Sequence, residues 1–201
     1  MAKNPFSQAG KPQGALGRMF TKRMNKGHGA MTDWALSHVK TAKDARALDI
    51  GCGGGATVAK LRLLCPQGFV AGIDYSEDSV EVSREVNEGQ PGAPYQIDQA
   101  SVSSIPYPDQ YFNLITAIET VYFWPNLPAD FLEVRRVLAA GDQFMVCCEV
   151  SEEKGGFWAK VIPGMTLYSV SQLEELLKSA GYAEVENWRG KSGALCLVAQ
   201  N

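Results

Sequence analysis

Histidine is the scarcest reactive residue of this chain: His28 and His38 are the two in 201 residues, and the five cysteines show no paired, ligand-like spacing. That leaves little room for a metal centre or a Ser-His-Asp constellation, so no metal is expected. The cysteines, Cys52, Cys65, Cys147, Cys148 and Cys196, fall mostly inside apolar segments and are an odd set, which reads as reduced, buried thiols. Adjacent Cys147 and Cys148 would point to opposite faces of a strand, which argues against a bridge between them. Positive charge is also not in excess. With 19 Lys and Arg against 22 Asp and Glu the net charge is −3, which argues against a general electrostatic grip on nucleic acid. The exception is local: Lys3, Lys11, Arg18, Lys22, Arg23 and Lys26 form an acid-free basic stretch that either faces an anionic substrate or is a solvated helix face. No apolar run is long enough to span a bilayer and no secretory h-region is recognisable, so a cytoplasmic protein without a membrane span is expected.

What the chain does have is glycine in one decisive place. Hydrophobic residues make up 45% and charged residues 20%, ordinary values that point to a single α/β domain over residues 1–201. In Ala47-Leu48-Asp49-Ile50-Gly51-Cys52-Gly53-Gly54-Gly55-Ala56-Thr57 a short apolar run ends in a glycine-crowded turn and then turns helical. Glycines at such a junction permit positive φ and let a ligand lie against bare amides at a helix N-terminus. Phe69–Asp74 reads as a second buried strand, ending in a carboxylate about 20 residues past the glycines, where an acid can accept ribose hydroxyls. Asp74 can also be read as a capping or turn aspartate before a helix that Ser76 would N-cap.

Further along, Ala56 to Cys65 reads as a helix, Tyr95 to Gln99 as a short strand and Phe112 to Ile118 as a central, nearly all-apolar strand. The segment Glu119-Thr120-Val121-Tyr122-Phe123-Trp124-Pro125 leaves the C-terminal end of that strand, where ligands sit in open parallel sheets. Glu119 is therefore a candidate to position or deprotonate an acceptor, and Tyr122 and Trp124 are candidates to wall it; the aromatic residues can equally plug the core. Pro128 to Leu138 reads as a helix, Gln143 to Val150 as a strand, Ser151 to Thr166 as a loop and Ser171 to Ala180 as the last helix. Ala183 to Trp188 and Ala194 to Ala199 read as a closing antiparallel pair. Upstream, Leu16 to Val39 suggests two short helices broken around Gly27-His28-Gly29, after a Gly- and Pro-rich stretch from Met1 to Gly17 that is expected to be mobile until covered.

Taken together, Leu48–Gly55, Gly72-Ile73-Asp74-Tyr75-Ser76, Ile105–Ile115 and Phe131–Leu138 resemble the class I S-adenosylmethionine-dependent methyltransferases, especially the small-domain branch of ubiquinone and menaquinone biosynthesis. The likeness runs from about Ala45 to the C-terminus. It implies a Rossmann-like three-layer sandwich, α/β, with a mostly parallel seven-stranded sheet, a C-terminal antiparallel strand pair and an N-terminal helical cap over residues 1–44. It implies S-adenosyl-L-methionine as cofactor, surrounded by Asp49, Gly51, Cys52, Gly53, Gly55, Asp74, Tyr75, Ser101, Val102 and Ile118. By the same likeness Asn25 and His28 become cleft candidates, His28 beside Glu119 and Tyr122 for catalysis, Asn25 beside Tyr122 and Trp124 for a small-molecule acceptor; from the residues alone His28 also reads as a loop histidine with no chemical duty. Two departures are visible: Ser101 stands where the family often has an acid beside the adenine, leaving Ser101, Asp98 or the Val102 backbone for that contact, and Asn113 replaces an aspartate. The competing readings are a nicotinamide-dependent oxidoreductase, which Asp49 and the downstream motifs count against, and a binding module that has lost its acceptor site.

Overall fold

The computed structural model describes residues 14, 17–19, 27–149, 156–190 and 193–201. Seven strands form one sheet: β1 (Arg46–Ile50), β2 (Phe69–Asp74), β3 (Tyr95–Gln99), β4 (Phe112–Ile118), β5 (Leu138–Cys148), β6 (Glu184–Arg189) and β7 (Leu195–Gln200). Their order is β3-β2-β1-β4-β5-β7-β6, parallel from β3 through β5, with β7 running antiparallel to both β5 and β6. The expected sheet and its closing antiparallel pair are both present. Strand order reverses between β1 and β4, and the crevice at such a switch point is where open α/β sheets bind ligands.

The helices are α1 (Gly29–Leu36), α2 (Ala56–Leu64), α3 (Glu77–Asn87), α4 (Leu127–Val137), α5 (Gly156–Val161) and α6 (Val170–Ser179), with a 3-10 turn at Val121–Phe123. α3 starts where Ser76 offers its Oγ to the Ser79 amide at 3.4 Å, with Glu77 and Asp78 in the favourable first turn. α4 is capped by Asn126 and α6 by a reciprocal capping box between Ser169 and Gln172.

The central strands bury both faces because helices cover both. On β4, Leu114 packs with Val58, Leu61 and Val70 on one side, while Phe112 and Ile115 join Phe131, Val134 and Phe144 on the other. Cys147 and Cys148 do point into different clusters, and all five cysteines are free and buried. Two local expectations need correction. β5 starts at Leu138, five residues earlier than the sequence suggests, because Leu138 pairs with Phe112 ahead of a register shift on β4. Within the stretch read as a Ser151–Thr166 loop, Gly156–Val161 forms the short helix α5. Of the first of the two N-terminal helices only residues 14 and 17–19 are described, and these are helical; the candidate Asn25 lies outside the described residues.

Candidate active site

The glycine turn is built from three different requirements. Gly51, with φ +69°, donates its N–H to the Ile73 carbonyl at 2.8 Å, and a Cβ there would meet Thr120 Oγ1 at 2.2 Å. Gly55, with φ +78°, is pressed against α3: a Cβ would lie 2.5 Å from Ser83 Oγ and 2.7 Å from Asn87 Nδ2, and Asn87 donates to the Gly55 carbonyl at 3.0 Å. Gly53 differs. At φ +49° its absent Cβ would meet nothing nearer than the Gly51 carbonyl oxygen at 3.9 Å, so the space where a side chain would stand is open. Cys52 is buried beneath the turn, its Sγ 3.8 Å from Ser83 Oγ, and burial raises its thiol well above the ordinary value.

Two buried carboxylates flank this turn. Asp49 is 2% exposed at the β1–β4 pair, where its register partner Thr116 donates to Oδ1 at 2.6 Å. Burial pushes Asp49 up to about 7, against the Thr116 hydrogen bond and with a further push from the Asp74 charge. Asp74 closes β2 and holds the turn in shape, accepting the Gly53 N–H at Oδ2 and the Ser76 N–H at Oδ1, both at 2.9 Å. Burial raises it too, against those two backbone hydrogen bonds. Its role as a turn-organising aspartate and its placement beside the glycines are therefore compatible, because each carboxylate oxygen keeps a second lone pair. Tyr75, next to it, is 42% exposed.

At the far side of β1, the chain leaving β4 makes the second half of the site. Glu119 adopts φ +59°, rare for a side-chain-bearing residue, and its N–H donates to the Cys147 carbonyl at 2.9 Å. Its Oε1 accepts both the Tyr122 hydroxyl at 3.2 Å and the Glu149 backbone N–H, while Oε2 takes no hydrogen bond from any described residue. Burial pushes Glu119 up to about 7. His28, the residue preceding α1, brings Nε2 to 3.6 Å from Glu149 Oε2, and one ligand-type atom each from His28, Glu119 and Glu149 lies within 4.8 Å of the others. The structure thus brings together His28, Glu119 and Tyr122 and adds Glu149, which the sequence reading did not single out. A signal for it exists: in a parallel sheet the register Ile118↔Cys147 sets the residues following β4 and β5 side by side.

Other candidates sit elsewhere. Trp124 is in the core, its ring 5.7 Å from Phe131 and 6.3 Å from Phe144, and its Nε1 donates to Thr120 Oγ1 at 3.3 Å. It therefore supports the Thr120 side chain facing Gly51 and does not wall the cleft. Ser101 offers its Oγ to the Ser103 N–H at 3.2 Å, and Val102 is buried. Asp98 accepts the Tyr107 hydroxyl at 2.7 Å and the Gln96 amide at 2.9 Å. Ile118 is half-buried at the end of β4. His38 is structural, stacked on Trp188 with ring centroids 4.3 Å apart. Of the basic N-terminal stretch, Arg18 pairs with Glu81 and Glu85 on α3.

Comparison with known proteins bears on the family and the fold. The family model described as a methyltransferase domain matches residues 41–188. A demethylmenaquinone methyltransferase of Symbiobacterium thermophilum is 28% identical over 177 residues, covering 69% of this chain and 68% of that protein. A second, from Staphylococcus aureus, is 31% identical over 111 residues, 55% of this chain and 45% of its own length, so the chain spans under half of that relative. Among solved structures, the methyltransferase bound to the Trm112 activator in Haloferax volcanii superposes with a TM-score of 0.79 at 19% identity, over 90% of this chain and 93% of that one, which is a likeness of fold. With a family match over most of its length and the matching sheet, this chain belongs to the methyltransferase domain family and is a class I, S-adenosylmethionine-dependent methyltransferase.

Proposed function

We propose that the chain binds S-adenosyl-L-methionine between Asp49, the Gly51–Gly55 turn and Asp74, and methylates a small molecule held at the ends of β4 and β5. The observation that carries this is the pair of buried carboxylates beside the open space in front of Gly53. Neither acid has a cationic partner among the described residues, and the Asp49 oxygen not bonded to Thr116 accepts nothing from them. A ligand with an ammonium group and a ribose diol fits that donor and charge requirement. The cofactor supplies an already electrophilic methyl on a sulfonium sulfur, so the protein has mainly to align an acceptor and exclude water. Asp49 orients the amino end of the ligand, Asp74 accepts its ribose hydroxyls, and Ser101 and the Val102 backbone edge the adenine.

On the acceptor side, Tyr122 fixes Glu119 so that its second oxygen faces the substrate, and His28 closes over it from α1. The relatives are named for demethylmenaquinone; a flat ring of that class is the kind of acceptor this end of the sheet would take. The test is a melting-temperature comparison with S-adenosylhomocysteine and NAD. Only a ligand that binds the native state stabilises it by mass action. S-adenosylhomocysteine should raise the melting temperature and NAD should not. A shift with NAD alone would overturn the assignment.

A further inference from the structure

We infer that His28, Glu119 and Glu149 form a divalent-cation site that presents an oxygen of the acceptor to the cofactor. Three sequence-distant segments, the start of α1 and the residues following β4 and β5, each contribute one ligand-type atom to a space no more than 4.8 Å across. Two features distinguish this from a chance meeting of polar groups. First, the His28 Nε2 to Glu149 Oε2 distance of 3.6 Å is too long for a hydrogen bond. It is close to the separation of about 3.4 Å expected of two ligands about 2.1 Å from a shared ion in tetrahedral geometry. Second, both hydrogen bonds received by the Glu119 carboxylate, from Tyr122 and from the Glu149 backbone, fall on Oε1. Oε1 is anchored and Oε2 is left over, the arrangement of a carboxylate oriented by its neighbours so that one oxygen can serve as a ligand.

The chemistry of the set narrows the ion. One imidazole nitrogen with two carboxylates suits zinc or manganese better than the softer, thiolate-preferring metals. In the deprotonated forms that ligate a metal the set carries a charge of −2, which a divalent ion neutralises, and no Lys or Arg pairs with either glutamate among the described residues. Three protein ligands leave further coordination positions open, as in sites where a metal binds substrate. The ligand class that fits is a phenolic or enolic hydroxyl. Coordination would lower its proton affinity, the released proton going to water, and would fix the oxygen against the end of β4. The role in presenting an acceptor rests on the proposed methyl transfer, whereas binding of the ion does not.

The test uses chain dialysed against a chelator and freed of any affinity tag, titrated with manganese chloride while electron paramagnetic resonance reads the free ion. One Mn²⁺ should be taken up per chain and displaced by Zn²⁺. The Glu149 side chain is 56% exposed, so Glu149→Gln should fold normally, and it should weaken uptake by at least about tenfold. S-adenosylhomocysteine should raise the melting temperature of both proteins equally. No uptake by the parent chain at millimolar free Mn²⁺, or equal uptake by Glu149→Gln, would overturn the cation site while leaving the cofactor assignment intact. Stoichiometric, Glu149-dependent uptake in a chain that shows no shift with S-adenosylhomocysteine would support the cation site and sink the cofactor assignment instead.

Discussion

In the proposed site Asp49 would set fold stability against ligand binding. Its folded carboxyl titrates near 7 because it is buried, against the ordinary 3.8 of a solvated aspartate. Below 3.8 both states hold the proton; as pH rises from there to 7 the unfolded chain has released it and the folded chain has not, so folding is progressively disfavoured. A difference of that size corresponds to about 4 kcal/mol of stability lost between pH 4 and pH 8, as an upper order of magnitude. Asp49→Asn keeps an acceptor for Thr116 and removes this dependence. Chemical denaturation should find the variant more stable than the parent at pH 8 and similar to it at pH 4. Calorimetry at pH 8 should find its affinity for S-adenosylhomocysteine weakened by about 1.5–3 kcal/mol, the range for a hydrogen bond involving a charged group. Unchanged affinity would remove Asp49 from the site. Asp74 behaves differently because its two oxygens already hold the Gly53 and Ser76 amides. Asp74→Ala should therefore lose ligand affinity and also about 1–3 kcal/mol of stability, from backbone donors left without their acceptor. Those two losses separate in a denaturant titration run with and without ligand.

At the scale of the element, the glycine turn divides its labour in a way that substitutions can read out. Gly55→Ala places a methyl against Ser83 and Asn87 at a left-handed φ, so α3 must move; the melting temperature should fall steeply whether or not ligand is present. Gly53→Ala meets open space and should cost only about 1–2 kcal/mol for its backbone conformation. Its larger effect should be on binding of the proposed cofactor, whose approach to the turn the methyl would obstruct. Equal loss of ligand shift in both variants, with equal stability, would contradict that division.

The elements themselves were largely legible in the chain. β2 and β4 lie where runs of apolar residues end at Asp74 and Ile118, because a buried parallel strand must be apolar on both faces, whereas the edge strand β3 is mostly polar and buries only Ile97. The early start of β5 was not legible, since it depends on Leu138 pairing across a register shift with Phe112, a long-range contact with no local signature. Trp124 reads equally well as a pocket wall or as core from sequence; the packing of Phe131 and Phe144 from two other elements decides it.

For the whole molecule, strand order is what turns separate motifs into a site. β1 lies between β2 and β4, so the Gly51 turn, Asp74 and Glu119 emerge together at the C-terminal ends of the central parallel strands although they span nearly 70 positions of the chain. The glycines and Asp74 carry recognisable spacing. The His28–Glu119–Glu149 cluster carries none, because its members come from three elements and meet only once the sheet and α1 are assembled; a search for ligand spacing along the chain passes over it. No helix among the described residues is long and apolar enough to cross a membrane, in keeping with the charge balance of the sequence.

The most direct test of the central claim is a crystal structure of the chain with S-adenosylhomocysteine. The account predicts the ribose hydroxyls on Asp74, the amino end beside Asp49 and the sulfur facing the Glu119 end of β4. Ligand bound away from the Gly51–Gly55 turn, or a ribose without contact to Asp74, would contradict it.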